Sequence, residues 1–318
     1  MRICLFIEGQ EDVTWEQWLA LAKACEEHGF EALFRSDHYL SFGHSAEWGT
    51  LDAWATISAL ASTTERIHLG TLVSPVTFRH PSELAKSVVT ADHASGGRIE
   101  LGMGTGWNEP EHRAYGFPFP PMAQRREILE EQVEIVHRLW DQGEVTFQGK
   151  HYRLEGAHAL PKPFQQPHPN LIIGGSAGPR SAALAARWAD EYNLNFVPPE
   201  FCREARPRLS AACEAIGRDP ASLRTSLANT TLVGSDRAEL EARASRLMER
   251  RGQSGDVGAF IEDLGKDRIV GTTERVVDRL GEFAEAGVER LMMQHLLHDD
   301  LEAVALIGDE IIPAVANL

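Results

Sequence analysis

The chain has 318 residues, 43% hydrophobic and 25% charged, a composition that suits a globular protein and excludes a disordered or fibrous one. A net charge of −16 argues against nucleic acid or an anionic membrane as a partner. No apolar run approaches the length of a membrane span, and the start "MRICLFIEGQ" is too short an apolar run for a signal peptide. The four cysteines, Cys4, Cys25, Cys202 and Cys213, lack metal spacing, so the expected compartment is a reducing cytoplasm and no metal is expected.

Taken in chain order, "RICLFIE" predicts a buried strand, and Thr14 with Gln17 three residues on predicts a capped helix with Trp15, Trp18, Leu19 and Ala22 on one face. "FEALFRSDH" predicts a second strand, "LDAWATISALASTT" a helix capped by Asp52, "RIHLGTLVSP" a third strand and "PSELAKSVVTADHASGG" a helix closed by glycines. "RIELGMG" predicts a fourth strand. The amphipathic run "QRREILEEQVEIVHRLW" predicts a long helix burying Leu129, Val133, Val136 and Trp140. Residues 143–169 read as an insertion with hairpin character around Gln148-Gly149 and a proline-rich end.

The rhythm then resumes: strands at "NLIIGGSAG", "DEYNLNF", "LRTSLANTTLVG" and "VERLMMQHL" alternate with helices, and "LEAVALIGDEIIPAV" predicts the closing helix. The polar segment 252–266 reads as lying outside the repeat. Eight strand–helix units in a chain of this length predict a (β/α)8 TIM barrel with insertions, one domain over residues 1–318; a doubly wound sheet has the same rhythm.

In a barrel, function belongs where strands run into their following helices. Those positions hold Asp37 and His38 after strand two, Ser74 after strand three, Trp107, Asn108 and Glu109 after strand four, and Asn193 on strand six. Asp37-His38 is a candidate acid/base pair, because imidazole titrates near neutrality; the alternative is a histidine satisfied by loop backbone. Gly104 and Gly106 in "GMGTGWNE" would let a flat ligand approach the backbone. Trp107 is either a stacking wall or a capping core residue, and Asn108 and Glu109 either contact a cofactor or cap a turn. "GGSAGPR", with Gly174, Gly175, Ser176 and Arg180, is the phosphate candidate, since small residues lead into a helix whose first N–H groups are free. The alternative there is a small-residue turn packing helix on strand.

The order "SDHY", "GTLVSPVTFRHP", "GGRIELGMGTGWNEPEHRAYG", "RREILEEQVEIVHRLW" and "IIGGSAG" resembles the bacterial luciferase-like monooxygenase superfamily, nearest its coenzyme F420-dependent oxidoreductase branch. The resemblance covers nearly the whole chain and is most specific from Gly70 to Gly116. It implies a (β/α)8 barrel, often dimeric, binding F420 or FMN at its C-terminal mouth. It further implies that His38 faces the substrate side of the ring beside Asp37. Thr71–Leu72 would carry a non-prolyl cis peptide under the ring, and Ser74 would lie near the ring edge. Asn108-Glu109 would match an Asn-Glu pair, with Glu109 as proton donor, although the spacing from Gly106 is shorter than in the sugar-phosphate dehydrogenases. Gly174, Gly175 and Ser176 match the phosphate loop. The lysines those dehydrogenases use for a substrate phosphate have no counterpart here. The implied activity is hydride transfer between F420 and a small organic substrate. The alternatives are an FMN-dependent monooxygenase served by a partner reductase, and a non-catalytic flavin-binding protein. A homodimer is the expected assembly.

Overall fold

The computed structural model describes residues 1–44 and 47–318. Strand β1 (Arg2–Ile7) leads to helix α1 (Trp15–Glu27), β2 (Ala32–Arg35), α2 (Ala53–Ala61), β3 (His68–Pro75), α3 (Pro81–Ser95) and β4 (Ile99–Gly104). A short α4 (Glu109–Tyr115) precedes the long α5 (Met122–Asp141). The hairpin β5 (Val145–Gln148) and β6 (Arg153–Ala157) follows, then β7 (Asn170–Gly174), α6 (Pro179–Trp188), β8 (Glu191–Asn195), α7 (Pro199–Glu214) and β9 (Arg224–Gly234). The chain ends with α8 (Arg237–Arg250), α9 (Val257–Asp267), β10 (Ile269–Thr272), α10 (Thr273–Glu285), β11 (Arg290–Gln294) and α11 (Leu301–Leu306), the last running on through a π turn, Ile307–Ile311.

Parallel pairing runs β9–β11–β1–β2–β3–β4–β7–β8 and closes through β8–β9, so among the described residues eight strands form a closed parallel barrel with helices around it. The doubly wound alternative is thereby excluded, because an open sheet would leave β8 and β9 apart. Strand alternation sorts the apolar residues into two layers. Cys4, Phe6, Ala32, Phe34, Leu72, Ile172, Ala228 and Met292 fill the lumen. Their neighbours, such as Ile3, Leu5 and Ile7, pack outward on the helices.

Local chemistry sets the helix starts. Thr14 and Gln17 form the reciprocal cap expected of them, and the Asp52 carboxylate accepts from Ala55 N–H. Helix α5 buries Leu129, Val133, Val136 and Trp140. In α1 the buried face is Trp18, Leu21, Ala22, Ala24 and Cys25, with Trp15 and Leu19 only partly covered. Segment 143–169 holds the β5–β6 hairpin and two cis prolyl bonds, before Pro161 and Pro167.

Most of segment 252–266 is helix α9, and the strand β10 that follows, which the sequence reading did not foresee, is additional to the eight. Above the barrel rim, Thr231–Gly234 of β9 leave their former neighbours and pair with β10. This rim ribbon, with α8 and α9, encloses its own apolar cluster of Leu232, Leu240, Ala244, Leu247, Ile261 and Leu297.

The opposite, N-terminal end of the lumen is plugged by charge. The fully buried Arg290 guanidinium donates to both Glu100 oxygens at 2.7 and 2.8 Å, to Glu191 at 3.1 Å and to Glu31 at 3.1 Å. This cluster fills the N-terminal end of the lumen with paired charge.

Candidate active site

Strand β2 ends at Arg35, and Ser36–Tyr39 turn over the C-terminal mouth of the barrel. There the His38 Nδ1 faces Glu111 Oε1 at 2.7 Å, while the other Glu111 oxygen accepts from Tyr39 N–H at 3.0 Å. Glu111 is wholly buried and its carboxylate accepts from His38, so Nδ1 carries the proton, and Nε2 has no hydrogen-bond partner among the described residues. Burial pushes the imidazole down, but the Glu111 hydrogen bond and charge, with smaller help from Glu8 and Asp37, outweigh it and hold His38 above its ordinary value. Exposed aromatics flank the ring: Phe42 meets it edge-on at 4.9 Å and Trp107 at 5.8 Å, with Trp107 62% exposed. At that exposure Trp107 is not a core residue.

Two carboxylates therefore stand differently from the sequence reading. Asp37 does not pair with His38; its carboxylate is buried, accepting from Ser74 Oγ at 2.8 Å and from Arg79. Glu109 is the first residue of α4 and points outward to Arg113, one turn on. Pro110 in the first turn starts the helix at Glu109, and the helical repeat then carries Glu111 and His112 to the inner face. His112 secures that turn: Nδ1 donates to the buried Asn108's carbonyl at 2.7 Å, leaving Nε2 to accept from Thr77 Oγ1 at 2.6 Å. Proline in the first turn was the sequence signal that could have identified Glu111.

The glycines of β4 have a different purpose from the one expected. A Cβ at Gly104 would lie 2.6 Å from Val73 Cγ2, one at Gly102 2.9 Å from Val73 Cγ1, and one at Gly174 3.2 Å from Val73 Cγ1. The space above them is thus taken by Val73, which lies across three strands as an apolar floor. Gly106 has φ +74°, a left-handed turn that glycine accommodates. The cis peptide is Leu72–Val73, one bond later than expected, where the β3–β4 register slips between Thr71 and Ser74. Leu72 drops into the lumen. Thr71 and Ser74 lie beneath the floor: Ser74 Oγ accepts from Trp54 Nε1 at 3.0 Å, and Thr71 Oγ1 donates to Gly102 O at 3.3 Å.

The turn from β7 to α6 closes the far side of the mouth. Gly175 N–H donates to Asn193 O at 3.0 Å, and the buried Tyr192 hydroxyl accepts from Ala177 N–H at 2.7 Å. Gly178 is the N-cap of α6 and provides no side-chain cap, so the first-turn N–H groups, which have no intrahelical acceptor in any helix, are not capped by it. With no side chain at Gly175 and a short one at Ser176, this is a setting that fits a phosphate. Arg180 does not join it, because it pairs with Glu130 on α5. The Asn193 side chain is likewise committed elsewhere, donating to Ser226 Oγ at 2.9 Å within the lumen.

Among the described residues no three His, Cys, Asp or Glu side chains converge as a metal site, and no helix is long and apolar enough to cross a membrane. Comparison with known proteins adds the following. The chain is 29% identical to an F420-dependent glucose-6-phosphate dehydrogenase of Nakamurella multipartita, over 94% of this chain and 92% of that protein. Its fold is similar to that of the monooxygenase RslO1 from Streptomyces bottropensis (TM-score 0.83, 23% identity, 98% of this chain and 99% of that one). It is also similar to that of an F420-dependent secondary alcohol dehydrogenase in complex with an F420–acetone adduct (TM-score 0.81, 21% identity, 99% and 98%). The luciferase-like monooxygenase family matches residues 1–290, nine-tenths of the chain, and the protein is an oxidoreductase that belongs to this family.

Proposed function

We propose that the protein is an F420-dependent oxidoreductase that moves a hydride between the cofactor and a small organic substrate, with His38 handling the accompanying proton. The observation that carries this reading is the buried Glu111 carboxylate on His38 Nδ1, which reserves Nε2 for the mouth. Similarity along almost the whole chain to an F420-dependent dehydrogenase supports the choice of cofactor. The residues present fit such a group. Val73 and Trp107 would bound its flat ring, and Gly175, Ser176 and the uncapped first turn of α6 would hold its phosphate. When bound, F420 supplies a ring carbon that accepts or gives a hydride. Everything else required of the protein is orientation and proton handling: His38 Nε2 takes the hydroxyl proton of an alcohol as it is oxidised, or returns it in the reverse direction. A homodimer is part of this proposal.

Equilibrium titration with F420 and with FMN tests the reading, with saturable F420 binding expected and FMN at least roughly tenfold weaker. Preference for FMN would move the protein to the monooxygenase alternative. Reduction of bound F420 is then screened with secondary alcohols and glucose 6-phosphate. F420 binding without turnover of any of them would favour the non-catalytic alternative.

The phosphate loop can be tested separately at Gly178. Its φ of −70° and ψ of 160° suit any residue, and nothing lies within 4 Å of an added Cβ. Aspartate there is a favourable helix cap, so Gly178→Asp should keep or raise the melting temperature. The new carboxylate would occupy the free N–H groups and repel phosphate, weakening F420 binding roughly tenfold or more. Unchanged affinity would remove this loop from the proposal. Gly175 is a poorer probe, since a Cβ there would lie 2.5 Å from Tyr192 Oη and disturb the turn whatever its charge.

A further inference from the structure

One buried carboxylate at the mouth, Glu8, contributes only a minor charge effect to the chemistry above. Glu8 follows β1 and continues the alternation of Cys4 and Phe6, which places it in the uppermost layer of the lumen. It is 7% exposed. Gln294 Nε2 donates to its Oε1 at 2.6 Å and Gln10 Nε2 donates to its Oε2 at 2.9 Å.

Both amides are held in that orientation. Thr230 Oγ1 donates to Gln294 Oε1 at 2.6 Å. Ser36 Oγ accepts from Gly9 N–H at 3.0 Å, which directs its own hydrogen to Gln10 Oε1 at 2.6 Å. With each amide oxygen already accepting a hydroxyl, only the NH2 ends can face Glu8. Five residues on or beside β9, β11, β1 and β2 thus hold one carboxylate in place.

Among the described residues no lysine, arginine or histidine pairs with it, in contrast to the other end of the lumen, where Arg290 serves three carboxylates. Burying a carboxylate beside neutral donors alone is unfavourable compared with pairing it. A core built for stability would not place one here. Each Glu8 oxygen keeps a lone pair beyond the amide it already accepts.

Glu8 lines a cavity of about 390 Å³ together with Glu11, Phe42, Trp48, Leu247, Arg250 and Arg251, and neither arginine pairs with Glu8. That is room for a small organic molecule. Phe42 belongs both to this cavity and to the aromatic contact with His38, so the cavity adjoins the proton-handling residue.

We propose that Glu8 is a specificity-determining residue: it accepts a hydrogen bond from an N–H or O–H group of the substrate, next to the carbinol carbon presented to His38, and so selects amino alcohols or diols over simple alcohols. The inference rests on the F420-dependent reading for the word substrate, but binding in the cavity can be measured without any cofactor.

Three probes share an aromatic body and a carbinol and differ only in the adjacent group: 2-amino-1-phenylethanol, 1-phenylethane-1,2-diol and 1-phenylethanol. Their affinities for the full chain are measured by calorimetry or ligand-observed NMR. At least one of the first two is expected to bind about tenfold or more tightly than 1-phenylethanol, as befits a hydrogen bond to a charged acceptor. Preference for the amine identifies a cationic donor, and equal binding of amine and diol a neutral one; either supports the proposal. Equal binding of all three by the wild-type protein, or saturable binding of none, overturns it, and the wild type alone suffices to show either. Glu8→Gln should abolish the discrimination while F420 affinity, measured in parallel, stays within a few-fold. Discrimination retained in that variant also overturns the proposal. Discrimination by the wild type without F420 binding would leave Glu8 as the selecting residue and refute the cofactor reading instead.

Discussion

Replacing His38 with alanine is expected to lower turnover by roughly two orders of magnitude or more while F420 affinity stays within a few-fold. The loop proposed for the phosphate is on β7 and α6, whereas His38 follows β2, so cofactor binding should barely depend on the imidazole. His38→Asn should not rescue the rate, because an amide hydrogen-bonds but does not transfer a proton near neutral pH. The pH profile separates a proton carrier from a structural residue. For alcohol oxidation His38 must start neutral, so the rate rises with pH through its pKa, and Glu111 holds that inflection above the ordinary 6.5. Glu111→Gln removes the negative charge and should move the inflection toward lower pH, with a lower maximum. Steady-state rates across pH for the three variants check this. Near-normal turnover in His38→Ala, or an unmoved inflection in Glu111→Gln, would make the pair structural.

The largest effect on stability is expected at Arg290. Arg290→Met keeps much of the volume but takes the shared buried guanidinium away from Glu100, left with His68 alone, and from Glu191, left with the half-buried Arg224. Breaking a buried ion pair from one side typically costs about 3–5 kcal/mol, a large part of the roughly 5–15 kcal/mol that holds a domain folded. Urea denaturation followed by circular dichroism measures the loss. The pH dependence adds a second check. Burial pushes the Glu100 carboxyl up, but Arg290 and His68 outweigh it and hold it well below its ordinary 4.5. Such a depressed carboxyl contributes stability above the ordinary value, and the contribution is lost as pH falls toward the folded one. The variant has no Arg290–Glu100 pair to lose, so the gap between variant and wild type should narrow on acidification below about 4.5. A gap that stays constant would mean that Arg290 acts through packing alone.

Much of the scaffold was legible because it rests on local rules. Runs such as "RICLFI" and "NLIIG" are apolar on both faces, as strands between a lumen and a helical layer must be, and Thr14 and Asp52 announce their helices. His38 and Trp107 could be placed at the mouth from strand order alone. What escaped depends on packing across strands. Val73 reads as one more apolar strand residue until Gly102, Gly104 and Gly174 are seen to make room for it. Glu109 and Glu111 differ by two positions in sequence, and only the helical turn between them decides which is buried. Asp37 stands next to His38 in the chain yet turns to Ser74 and Arg79, because neighbouring residues project to different sides. Strand β10 is four residues long in a polar context and finds its place only because β9 runs past the rim.

That overrun divides the molecule into parts of unequal tenacity. The apolar cluster under the β9–β10 ribbon is separate from the main core, and small separate clusters open at lower free energy than the whole. Leu247 belongs both to this cluster and to the wall of the cavity beside Glu8. Local opening of that cluster would loosen one wall of the cavity while the hydrogen bonds of the barrel stay closed. Under the Glu8 proposal, amino-acid changes in the ribbon and its two helices would reshape what the cavity admits at little expense to the fold, and substrate range and barrel stability would be tuned through different residues.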